Sequence, residues 1–151
     1  YVGDKSEVSL EDASAVIGDS GALSIEEIIY AAGNGNRKAL ETGLSRAAAE
    51  GVSPIALIRA AQRHFQRLHF AAAACGQGAT PREAVKSLKP PVLFMFEERF
   101  QRQLSIWTES RLATALLLLT EAEGHCKSTG TPDQAIGERA LLRLAQVART
   151  R

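Results

Sequence analysis

Residues 53–78 read SPIALIRAAQRHFQRLHFAAAACGQG, and this stretch decides the fold class. Proline at the first helical position gives up no needed N–H and arrives with φ near helical values, so Ser53 and Pro54 open a helix. Ile58, Ala61, Phe65, Leu68 and Ala72 then step by three or four, which gathers them into one buried stripe. Arg59, Arg63 and Arg67 step by four along the flank. The helix runs to about Cys75, and Gly76 and Gly78 close it.

The same punctuation recurs on both sides. Ser9, with Glu11 and Asp12 behind it, caps a short helix ending near Gly18, and Gly18, Asp19, Ser20 and Gly21 break the chain. Ser24 and Glu27 form a capping box for a helix carrying Ile25, Ile28 and Ile29, closed by Gly33, Asn34 and Gly35. Asn36 starts another, which stops at Gly51. Thr80, Pro81 and Glu83 begin a short helix after residue 78. Leu88, Lys89, Pro90 and Pro91 then force an extended corner, because each proline pushes its predecessor out of the α region.

Beyond the corner, Val92 to Phe96 is an apolar run that Glu97 to Ile106 continues, with Phe100 and Leu104 at helical spacing. A helix from about Glu109 to Ser128 carries Leu116, Leu117, Leu118 and Leu119, which point all round it and mark it as the central helix. Thr131, Pro132 and Asp133 open a last helix with Ile136, Ala140, Leu144 and Val147 or Ala148 as its stripe. No stretch alternates with the period of a strand. The expectation is an all-α bundle of about six to eight helices, with no sheet and no internal repeat.

Composition sets the outer bounds. The 151 residues suit one domain with a fragment of a second, and 45% hydrophobic content is enough for a core. Charged residues at 23%, a net charge of +1 and a mean hydropathy of −0.09 exclude a disordered chain and a strongly basic nucleic-acid tail. The longest apolar stretch, Leu112 to Leu119, falls short of the roughly 20 residues of a membrane-spanning helix, so a soluble domain is expected. Tyr1 comes first and Met95 is the sole methionine, so the sequence reads as a piece of a longer protein. Cys75 and Cys126, without a CxxC or histidine co-ligands, read as free thiols of a reducing compartment, with one disulfide left open.

No residue constellation asks for catalysis, a cofactor or a metal. His64 and His69 lie about 140° apart around a helix and cannot chelate from one face, and His125 beside Cys126 diverges as well. All three histidines read as surface or satisfied-core residues. Gly76, Gln77 and Gly78 lack the strand before and the Lys after that a phosphate loop needs. Glu123 and Lys127, in the favourable i, i+4 order, read as a surface ion pair. Two features remain as a candidate partner interface. One is the row Arg59, Arg63 and Arg67, which reads first as a solvated face, then as a partner contact, and last as a nucleic-acid contact. The other is Phe94 and Phe96 beside Met95, which enter the core or cover a partner.

The order of these pieces resembles the C-terminal part of the bacterial DNA polymerase III delta subunit, a clamp-loader component of DNA replication. Tyr1, Val2, Gly3, Asp4, then Val8 to Asp12, then Val16 to Asp19 resemble the end of that family's AAA+-like lid domain. The Gly51 to Pro54 helix start, the Arg63 to Leu68 segment and the Leu88 to Val92 corner are similar to its collar domain. So are Trp107 and Glu123 with Lys127, Thr129 and Gly130. Each motif is made of caps and helix faces, so the resemblance rests on their order along nearly the whole chain. It implies a lid remnant over residues 1–20 and a helical collar (oligomerisation) domain over residues 21–151. It also implies a bacterial cytoplasmic location and assembly with gamma or tau and delta prime subunits, with the sliding clamp and primed DNA reached through the complex. The implied role is assembly of the loader that opens and loads the clamp, with no chemistry in this part and no working ATP site in the subunit. The apolar Phe94 to Phe96 stretch departs from the more basic residues expected after the corner. A helical DNA-binding module and a helical regulatory adaptor are the rival readings.

Overall fold

A computed structural model describes residues 21–128 and 130–150. The expected helix ending near Gly18, the proposed lid remnant over 1–20 and most of the Gly18 to Gly21 break lie outside the described residues. Among the described residues seven α-helices follow one another: α1 over residues 21–34, α2 Arg37–Ala49, α3 Pro54–Gly76, α4 Pro81–Lys86, α5 Glu97–Ile106, α6 Glu109–Cys126 and α7 Asp133–Arg149. A single 3-10 turn, Phe94–Phe96, leads into α5. No strand occurs among the described residues, so the all-α expectation holds.

Helix ends form where capping chemistry places them. The Asn36 side chain accepts from the Ala39 N–H at 3.2 Å, and Thr80 with Glu83 makes a complete capping box before Pro81. Gly35 and Gly51, at φ +73° and +77°, take the left-handed turn that lets the chain leave α1 and α2. Across each, two N–H groups reach back to the last helical carbonyls: Asn36 to Ala31 and Gly35 to Ala32, then Val52 to Ala47 and Gly51 to Ala48. Leu88 to Pro91 form the irregular corner, with a cis bond between Lys89 and Pro90.

Two expectations are corrected. Ser24 does not cap a helix, because α1 is already helical at residue 21 and Glu27 gives its carboxylate to Arg99 instead. An S-x-x-E pair sits on one side of a helix whether it caps the first turn or lies inside it, so the spacing alone does not separate the two. The central helix is α3 and not α6. α3 packs against α4, α5, α6 and α7, and buries Leu57, Ile58, Ala60, Ala61, His64, Phe65, Leu68 and Ala71. α6 rests on α3 and α7, and of its four consecutive leucines only Leu119 is fully buried while Leu117 is 61% exposed. Length and small residues both contribute: α3 has 23 residues to the 18 of α6, and its buried alanines at 60, 61 and 71 let neighbours approach closely.

Close approach also fixes two glycines. A Cβ on Gly137 would sit 3.1 Å from the Pro54 Cβ where α7 crosses the start of α3, and one on Gly33 would sit 2.6 Å from the Gln103 Oε1.

Candidate functional site

The five residues singled out from sequence do not share one environment. Arg59 is exposed, and its Nε donates to the Glu123 Oε2 at 3.2 Å. Lys127 Nζ meets the same oxygen at 3.2 Å, and Gln62 Nε2 donates to Oε1 at 2.9 Å. Glu123 is thus gripped from α3 and from its own helix. The Gln62 hydrogen bond foremost, with Lys127 and Arg59 after it, pulls its carboxyl from 4.5 down to about 2. The Glu123–Lys127 pair read from spacing is present, joined by Arg59 and Gln62, which spacing could not show.

Arg63 is exposed and Arg67 half-buried. Both stand near Glu26 of α1, whose carboxyl burial pushes up while Arg67 and Arg63 pull it down. The three-arginine row is therefore a seam: its first member ties α3 to α6, and its other two offset a half-buried acid of α1.

Phe94 and Phe96 part company. Phe94 is 89% exposed, flanked by Leu93 at 49% and Met95 at 58%. Phe96 is buried and stacks on Tyr30 with ring centroids 4.4 Å apart. Arg99 lies over the Phe96 ring at 4.6 Å and makes a two-pronged contact with Glu27, at 3.0 and 3.3 Å. One residue of the aromatic pair is core and the other is surface. The exposed remainder is a three-residue apolar tip on the turn before α5.

Beneath the tip lies a polar knot that no spacing announced. His64 and Gln103 are both buried, and the His64 Nε2 is 2.6 Å from the Gln103 Oε1. The Gln103 amide nitrogen donates to the Asn34 Oδ1 at 2.5 Å and to the Tyr30 carbonyl at 3.4 Å. That makes Oε1 the acceptor and Nε2 of His64 the donor. Trp107 Nε1 donates to the Gly33 carbonyl at 2.8 Å, and its ring meets Phe65 edge-on at 4.7 Å. The knot joins α1, α3 and α5. Burial drives the His64 pKa from 6.5 down to about 4, with the Gln103 hydrogen bond opposing and Arg67 reinforcing the fall. Burial also raises the Tyr30 hydroxyl, helped by Glu26.

His64 is thus the satisfied-core histidine, while His69 and His125 are exposed. Cys75 and Cys126 are free thiols. Among the described residues no three metal-ligating side chains converge, and no helix is long and apolar enough to cross a membrane. A concavity of about 720 Å³ lies between α1 and α2, lined by Ile25, Ile28, Ala39 and Ala47 together with Lys38 and Arg46. It holds no convergent acid, base and nucleophile, so its character is that of a packing groove.

No protein-family model matches the chain, and no curated protein matches it either. Among solved structures it is similar to the Bacillus subtilis DNA clamp loader delta protein, with a TM-score of 0.66, 19% sequence identity and 82% of this chain covered. The match takes in 36% of that protein, so this chain spans about a third of its length. The likeness establishes a shared all-α fold.

Proposed function

We propose that this chain is the collar part of a clamp-loader delta-type subunit, which assembles with gamma or tau and delta prime subunits into the machine that loads a sliding clamp onto primed DNA. The observation that carries the reading is the fold likeness to a clamp loader delta protein over 82% of the chain. The ordered motifs from Gly51 to Gly130 independently resemble the same family. Assembly is mechanical work for a rigid helical body, and α3, held on several sides, supplies that rigidity. No step of chemistry is assigned to these residues.

The contact surface we assign is the Leu93–Phe94–Met95 tip. Three consecutive large apolar side chains in water favour burial against a partner, and Phe96, buried and stacked on Tyr30, holds the turn in place. Arg63, exposed on α3, is the member of the arginine row most available to a neighbour. Arg59 and Phe96 contribute from inside, by fixing α6 and the base of the tip.

Light scattering coupled to size exclusion tests the reading, on the chain alone and mixed with purified gamma or tau and delta prime. A stable mixed species is expected. A chain that ignores both partners, and whose parent gene encodes no AAA+-like region upstream, contradicts the proposal and favours a helical adaptor.

A further inference from the structure

Two neighbouring charges of α7 are left without an ion pair among the described residues. Arg139 and Arg143 stand four residues apart, about 6 Å along the helix axis. With Arg37 of α2 and Leu142 they line a shallow groove of about 550 Å³. α7 turns Gly137, Ala140, Leu141, Leu144 and Ala145 inward, so both arginines sit on its outer, exposed side. The basic row continues past the groove. Arg149 packs against Gly35, and Arg111 donates to the Thr150 carbonyl at the end of α7.

Two carboxylates are close by, and neither forms an ion pair with Arg139 or Arg143. Glu138, at the groove, accepts from the Gln134 amide at 2.5 Å, and Glu41 pairs with Arg37 at 3.2 Å. Among the described residues no ion pair holds Arg139 or Arg143. The near-neutral total charge conceals this. The first twenty residues hold five of the seventeen acids and one of the eighteen bases, so the remainder of the chain is distinctly basic.

We infer that the outer face of α7, centred on Arg139 and Arg143, is a contact for the phosphate backbone of nucleic acid. The groove is shallow, and its apolar residues are Leu142 and Ala135, without an aromatic or deep pocket of the kind that anchors a protein partner. Exposed guanidinium forks on a rigid helix are what phosphate oxygens take. The inference rests on the clamp-loader reading only for the reason that DNA is at hand. Its test needs no other subunit, so the two fail separately.

Fluorescence anisotropy of labelled duplex and single-stranded DNA, titrated with the full 151-residue chain at several salt concentrations, supplies the test. Binding is expected to weaken steeply with salt. R139E/R143E is expected to lose at least about tenfold in affinity and to flatten the log–log salt slope by roughly 1.5, the share of two phosphate contacts. R59A is expected to stay within about twofold of the parent, since that arginine is paired with Glu123. Circular dichroism checks that each variant remains helical, and R139A/R143A provides a milder pair. Wild-type indifference to DNA at low salt, or a loss in R59A as large as in R139E/R143E, overturns the inference. So does tighter binding of poly-glutamate than of DNA, which assigns the face to an acidic protein.

Discussion

The arginines of α3 and those of α7 share a four-residue step and differ in what lies across from them. Arg59 meets Glu123 on α6, and Arg63 and Arg67 stand by Glu26 on α1. Arg139 and Arg143 meet no carboxylate among the described residues. The same spacing therefore serves the fold in one place and faces solvent in the other. Periodicity places a charge on a helix face, and only the neighbouring element decides whether that charge is spent.

The inward side of the contrast breaks hardest at Gln103, where three elements meet. Q103L keeps the volume but strands the buried His64 N–H and takes the amide donor away from the Asn34 Oδ1 and the Tyr30 carbonyl. It is expected to cost roughly 2–4 kcal/mol in urea unfolding, because unpaired buried polar groups are expensive. A loss below about 0.5 kcal/mol means that water or rotation satisfies the knot without Gln103.

Proton linkage sharpens the same point. The folded pKa of His64 lies near 4, below the ordinary 6.5, so the folded state favours the neutral ring. Its contribution is fully present above pH 6.5 and drains away as pH falls to 4, a change of roughly 3 kcal/mol. Unfolding curves at pH 7, 5 and 4 measure it, and H64Q is expected to flatten the slope. An unchanged slope in H64Q assigns the acid sensitivity elsewhere. Glu123 works in a lower window. Its carboxyl is depressed from 4.5 to about 2, so its contribution is present above pH 4.5 and is lost as pH falls toward 2.

The smallest expected effect is the most specific to the seam. R59A removes one of three donors to Glu123, leaving Gln62 and Lys127 in place. Carboxylate titration by NMR is expected to show the Glu123 pKa moving back up toward 4.5, with little loss of melting temperature. A Glu123 pKa that ignores R59A breaks the claim that this arginine is engaged in the fold.

Much of this architecture is legible in the residues. Asn36, Pro54, Thr80 and Pro81 mark helix starts because capping is local chemistry, and Ile58, Ala61, Phe65 and Leu68 mark the buried face of α3 because burial follows the helical period. The failures are tertiary. The four leucines of α6 name a hydrophobic helix but not its neighbours, and the alanines that help put α3 at the centre carry little hydrophobic signal of their own. Gln103 lies between Phe100 and Leu104, where a stripe built from apolar residues passes over a buried amide. Glu27 and Arg99 are 72 positions apart, beyond any local pattern. Phe94 and Phe96 alternate within one tripeptide, so only the turn geometry separates surface from core.

The proposed assembly with other subunits through the apolar tip is tested most directly by the affinity of the parent and of F94S/M95S for gamma or tau and delta prime. Light scattering with stability controls supplies it. F94S/M95S is expected to keep its unfolding midpoint, because Phe94 and Met95 are surface residues, and to lose the mixed species. A variant that assembles as well as the parent contradicts the assignment of the tip, and a parent that assembles with neither partner contradicts the proposed function itself.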